Sequence, residues 1–200
     1  MRNLKHELVM ATQGLTEPSV SPAMRTGGII LGGTILAAIC AHIVLPLYFT
    51  PVPLSLQPLA VLLLGLLLRP RLAGATMAAY LAEGAMGLPV FAPGLDTSGG
   101  LAHLFGPTGG YLLVYPAAAV LVSFLWRRGG RGFATALLAA GAGDLLILGC
   151  GAMWLALWTH VSADSALLMA VVPFLPGDAL KVVAAAAVAV GFVRVRRRAL

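Results

Sequence analysis

Sixty per cent of this chain is hydrophobic and only 10% is charged, so an ionisable side chain inside an apolar stretch stands out. Asp178 and Lys181 lie three residues apart in Pro176-Gly177-Asp178-Ala179-Leu180-Lys181, the spacing that puts two side chains on one helix face. A charge within a membrane span costs about 2.5 to 3.5 kcal/mol on insertion scales, and is therefore usually paired or functional. One reading is a structural ion pair that steadies a helix start, with Asp178 favoured there by capping and the macrodipole. The other is a ligand clamp, in which an exposed helix N-terminus and the Lys181 ammonium seat a carboxylate while Asp178 accepts N–H donors from the same ligand. Both can hold.

Glu83 lies about a dozen residues into its apolar run, about 18 Å at 1.5 Å per residue, which brings it near the level expected for Asp178 and Lys181. It reads as a partner for Lys181, as a carboxyl facing the bundle interior, or as a ligand contact. Asp144 sits a third to half of the way along its run and reads as a proton site or as a hydrogen-bonded packing group. His42, His103 and His160 share no metal-ligand spacing, so no metal is expected. Cys40 and Cys150 stand alone in apolar runs and read as packing residues rather than a disulfide or metal pair. Neither a Gly-x4-Gly-Lys-Ser/Thr phosphate loop nor a Gly-x-Ser-x-Gly elbow occurs. The chain is therefore not expected to hydrolyse ATP or to act as a simple serine hydrolase, and no catalytic residue or cofactor is assigned.

The elements that must position these residues are apolar runs at about 27–47, 54–68, 71–88, 111–126, 133–159 and 178–195. A membrane helix needs roughly 20 mostly apolar residues to cross about 30 Å of hydrocarbon, so the runs predict an all-α integral membrane protein with a six-helix bundle. Residues 1–26 form a polar segment and 27–200 a single membrane domain. The first run is too long for the core of a cleaved signal peptide. Ser165–Leu175 is apolar but spans only 11 residues and reads as re-entrant or interfacial, with Pro173 and Pro176 breaking the chain before the last helix.

Of the 13 Lys and Arg residues, all but Lys181 fall at chain ends or in alternate connections, whereas 48–53, 89–110 and 160–177 contain none. By the positive-inside rule both termini are cytoplasmic and those three loops face outward. The net charge of +6 is thus topogenic, and nucleic acid is not needed to explain it. Gly28 and Gly32, then Gly33, Ala37 and Ala41, repeat at four-residue spacing and form a small-residue strip that can pack in the bundle or against another subunit. The outward loops are rich in proline and glycine, as in Thr50-Pro51-Val52-Pro53 and Gly87 to Gly94. Such residues impose turns, so these loops look shaped and able to form a lid.

Pro51-Val52-Pro53-Leu54-Ser55-Leu56-Gln57, Gly84-Ala85-Met86-Gly87-Leu88-Pro89-Val90-Phe91, Gly106-Pro107-Thr108-Gly109-Gly110-Tyr111 and Pro176-Gly177-Asp178-Ala179-Leu180-Lys181 resemble the successive signatures of BioY proteins. Those are the biotin-binding S components of energy-coupling factor (ECF) transporters, and the likeness runs from about residue 29 to 195. It implies a six-helix S-component fold in the cytoplasmic membrane of a prokaryote, biotin held near the outer surface, and the loop between the first two helices acting as a lid. As partners it implies a transmembrane coupling subunit and a pair of ABC-type ATPases, which would hydrolyse the ATP. Asp178 and Lys181 match the family's Asp-x-x-Lys and are the leading biotin contacts, with Gln57 and Tyr111 at matched motif positions. Glu83 stands where the family has a more apolar residue. The alternatives are capture of another small carboxylate vitamin, a stand-alone transporter, and, in a different class, an intramembrane enzyme or proton-coupled carrier using Glu83 and Asp144.

Overall fold

A computed structural model describes residues 21–93 and 100–198. Most of the polar N-terminal segment, including Arg2 and Lys5, and Gly94 of the second turn-rich loop lie outside the described residues. The helices are α1 (Pro22–His42), α2 (Gln57–Leu67), α3 (Pro70–Ala85), α4 (Leu101–Leu104), α5 (Gly109–Arg128), α6 (Phe133–Thr159), α7 (Ala163–Ala170) and α8 (Leu175–Arg198). Between α1 and α2, β1 (Val44–Leu45) pairs antiparallel with β2 (Leu54–Ser55), Val44 facing Ser55 and Leu45 facing Leu54. The all-α expectation thus gains a small ribbon.

Local chemistry sets the helix ends. Ser21 accepts a hydrogen bond from the Met24 N–H at 3.2 Å, and Pro22 occupies the first turn, so α1 starts before the apolar run rather than with it. It stops at His42, short of the end of that run, because Pro46 disfavours helix in the residue before it and the chain turns into the ribbon. Pro58 and Pro70 stand in the first turns of α2 and α3. Between these helices the Leu68 carbonyl accepts from the Ser123 hydroxyl of α5 at 2.6 Å. The segment expected to be interfacial forms α7, which meets α8 at a bend of 54°.

Among the described residues, α1, α5 and α6 are on length and composition able to cross a membrane, and the bent pair α7–α8 adds a fourth span where its two helices are counted as one broken span. Helix α2 is apolar but has only 11 residues, about 17 Å at 1.5 Å each, and α3 has 16. Fewer full-length spans are therefore present than the six apolar runs suggested, because parts of those runs form the ribbon, caps and turns. Large apolar side chains such as Leu138, Leu145, Met153 and Leu157 project outward from α6, an exterior suited to lipid rather than water.

Helix α5 lies at the centre of the bundle against α2, α3 and α6, and α8 closes the other side against α2 and α6. In α1, Gly33, Ala37 and Ala41 are buried, with Gly33 against Thr76 and Leu64, whereas nothing lies close to Gly28 or Gly32. The strip therefore splits, and only its second half packs inside this bundle. Arg25, Arg69, Arg71, Arg127, Arg131 and Arg196 come together around a groove at one end of the molecule. Glycine permits a close contact between α5 and α6, since a side chain at Gly151 of α6 would occupy the space taken by the Tyr111 ring. Overpacking of this kind costs about 1 to 3 kcal/mol. Gly151→Val is accordingly expected to lower the thermal midpoint of the purified protein in detergent, and an unchanged midpoint would show that Tyr111 is not wedged there.

Candidate ligand-binding site

The first turns of α8 carry two charges into the interior. Asp178 is 3% exposed and Lys181 5%, and the Lys181 Nζ donates to the Asp178 Oδ1 at 2.7 Å. Three residues of helix bring the side chains together, so the pair needs no partner from another element to form. Removing two charges from water costs several kcal/mol per ion, and their mutual attraction offsets this only when the geometry is good and the remaining polar atoms find partners. One Asp178 oxygen and two Lys181 N–H groups remain for other partners.

Those spare groups border a cavity. Both residues line it, and the facing wall comes from α2, α5 and α6, including Gln57, Tyr111, Tyr115 and Asp144. All three turn-rich loops contribute as well: Val52 and Pro53 from the first, Ala92, His103 and Thr108 from the second, and Phe174 from the third. The cavity encloses about 40 Å3. Its surface is mainly apolar with a few convergent polar groups, the usual make-up of a small-molecule site.

The polar lining is held by interactions that fix its orientation. The Gln57 side-chain N–H donates to the Tyr80 hydroxyl at 2.6 Å, and that hydroxyl donates to the Val90 carbonyl, also at 2.6 Å. This chain ties α2 and α3 to the loop that follows α3. The Tyr111 hydroxyl donates to the Ala170 carbonyl at the end of α7, 2.8 Å away, and its ring lies 6.5 Å from that of Phe174. Tyr111 thereby supports the bend from which α8 departs.

Four of the five residues singled out in the sequence, Asp178, Lys181, Gln57 and Tyr111, converge on this cavity. Glu83 does not. It is half-buried on α3 and absent from the lining, and Lys181, its expected partner, is already engaged by Asp178. Counting residues along the apolar run could not fix the face of α3 on which it lies. At the start of α8 two of the first-turn N–H groups, those of Leu175 and Asp178, are bound by the carbonyls of Val171 and Phe174, so this end offers a carboxylate fewer donors than the exposed helix N-terminus expected. The turn between α7 and α8 thus consumes those donors, leaving Lys181 as the cationic seat.

Sequence reasoning left His103, Thr108 and Tyr115 out of the ligand site, and it read Asp144 as a proton site or a packing group rather than as part of the cavity beside Asp178 and Lys181. His103 stacks on Phe91 with centroids 5.2 Å apart, and its Nε2 lies 3.5 Å from the Thr108 hydroxyl. The available signal was position, since His103 and Thr108 belong to the same Lys- and Arg-free loop as the Gly-Pro-Thr-Gly-Gly-Tyr motif. Among the described residues no cluster of His, Cys, Asp or Glu has the arrangement of a metal site.

Comparison with known proteins agrees with this architecture. A solved structure described as the S-component for biotin from an ECF-type ABC transporter superposes with a TM-score of 0.78 at 25% identity, covering 86% of this chain and 92% of the other. A probable biotin transporter BioY of Pyrococcus horikoshii is 40% identical over 139 residues, 70% of this chain and 79% of the relative. The biotin transporter BioY of Thermotoga maritima is 36% identical over 156 residues, 78% of this chain and 88% of that protein. The model of the BioY family matches residues 12–198. That span contains every wall of the cavity and the charged pair itself, and on this ground the chain belongs to the BioY family.

Proposed function

We propose that this chain is a high-affinity biotin-capture subunit, the S component of an ECF-type vitamin transporter, and that biotin occupies the cavity beside Asp178 and Lys181. The observation that carries this reading is the buried ion pair with unspent donors and an acceptor in a cavity wall. Biotin presents a carboxylate, a ureido carbonyl, two ureido N–H groups and an apolar bicyclic body. These complement an ammonium, a carboxylate and an apolar lining. Gln57 and Tyr111 complete the contact surface, and Glu83 stays outside it.

Capture from outside calls for a wall of the cavity that can open, and Val52 and Pro53 from the segment between α1 and α2 form part of that wall. The segment 43–56 suits that role. Apart from Ile43 N–H to the Cys40 carbonyl and Gln57 N–H to the Ser55 hydroxyl at its two ends, its hydrogen bonds to the described residues, including Leu56 N–H to Ile43 carbonyl and Thr50 N–H to Leu47 carbonyl, close on the segment itself, so it can move outward as a unit. Tyr48 and Phe49 at its tip are exposed.

The same reading makes the chain a multi-pass protein of a prokaryotic cytoplasmic membrane, with six membrane-embedded helices: α1, α2, α3, α5, α6 and α8. The arginine-rich end and both termini face the cytoplasm, and the cavity opens outward. A transmembrane coupling subunit and ABC-type ATPases are its partners, and ATP hydrolysis belongs to the latter.

Two measurements test these assignments. Titrated with biotin and a panel of other carboxylate vitamins, the purified protein should bind biotin selectively. Asp178→Asn and Lys181→Ala should each weaken binding by tenfold or more, about 1.4 kcal/mol per factor of ten, with the variants still folded. Hydrogen bonds to charged groups are worth about 1.5 to 3 kcal/mol, so unchanged affinity in a folded variant removes that residue from the site. For orientation, Tyr48→Cys in a Cys40→Ala, Cys150→Ala background should react with a membrane-impermeant thiol reagent on intact cells. Arg198→Cys should react only after permeabilisation, and the reverse pattern would invert the topology.

A further inference from the structure

Asp144 takes no part in the hydrogen bonds described above. It is 6% exposed, and its Oδ1 is buried without a hydrogen-bond partner among the described residues. It stands in the cavity wall with Asp178 and Lys181 and lies within electrostatic reach of both. Buried polar atoms are almost always hydrogen-bonded, and an exception calls for an explanation such as an absent partner molecule. Ile147 and Leu148 on its own helix have no side-chain donor to offer, and Tyr115 of α5, which lines the same cavity within electrostatic reach of Asp144, makes no hydrogen bond to that oxygen.

We propose that Asp144 is a further ligand contact, one that sets specificity: its Oδ1 accepts an N–H of the ligand from the α6 wall while Asp178 accepts a second from α8. This rests on the reading of the cavity as the biotin site. A cyclic urea carries two N–H donors on either side of one carbonyl. The cavity offers an acceptor on each of two carboxylates, one of them shared with Lys181, and an ammonium with spare donors suited to the carbonyl. A ligand without paired N–H donors leaves Asp144 buried and unmatched, so it is rejected where a urea is held.

The test compares biotin with two derivatives, each methylated on one ureido nitrogen. Asp144→Leu should weaken biotin by tenfold or more. Against wild type, one of the two methylbiotins should lose a similar factor; against Asp144→Leu that isomer should lose little further, while the other isomer still loses its full factor. Asp178→Asn should give the opposite assignment of isomers. If Asp144→Leu weakens all three ligands by the same factor, or leaves biotin affinity unchanged, Asp144 is a packing residue and the inference fails while the biotin reading stands. If wild type binds no biotin, both fail. Should Asp144→Leu not fold, Asp144→Asn has the same shape and carries the same comparison, with one acceptor oxygen retained and a smaller loss expected.

Discussion

The structure depends on keeping an ammonium and a carboxylate buried together at the start of α8. Neither charge is tolerable alone at that depth, because an isolated ion in a low-dielectric interior loses its hydration without compensation. Together they form a pair at 2.7 Å that is set by helical spacing alone, so the surrounding helices need supply only walls. This explains why the polar part of the cavity is so small. The rest of the lining is largely apolar, interrupted by groups with a fixed hydrogen-bonding duty, such as Gln57 and Tyr111, and by Asp144.

Holding α8 in place falls to the bend before it. Pro173 and Pro176 stop α7 from running straight into α8, and the 54° angle between them sets the first turns of α8 against the centre of the bundle. The Tyr111 hydroxyl bound to the Ala170 carbonyl and the Tyr111 ring lying against Gly151 lock α5, α6 and α7 at that point. A glycine in α6 and a tyrosine in α5 thereby determine where a lysine in α8 points. That link runs from sequence through packing to the site.

Much of this could be read from the chain before any fold was known. Charge is so scarce here that Asp178 and Lys181 identify themselves, and the segregation of arginines into alternate connections is a linear pattern that needs no tertiary knowledge. Helix ends were harder, because apolar character continues through caps and turns; Ile43 to Leu47 is as apolar as the helix before it, yet Pro46 and strand pairing take it into the ribbon. Facing was hardest. The weak amphipathicity of a helix surrounded by apolar matter on all sides removes the periodic signal that locates a soluble helix face. Glu83 was therefore brought too near the site, and Asp144 was not placed in the cavity beside Asp178 and Lys181.

The contrast between those two acids shows what decides function in such an interior. Both sit on long apolar helices, and both were singled out on the same ground, the cost of an intramembrane carboxyl. Glu83 is half-buried and lies away from the cavity, so solvent or headgroups can meet its needs and no ligand is required. Asp144 is enclosed, with an oxygen that no described residue satisfies, in a wall that already holds one acid and one base. A second ionised acid there worsens the electrostatics of the empty cavity, because one ammonium balances the charge of only one carboxylate. Its presence makes physical sense when a molecule bearing N–H donors fills the space between them, and a site built this way binds its ligand in part by relieving a polar group that folding left unmatched.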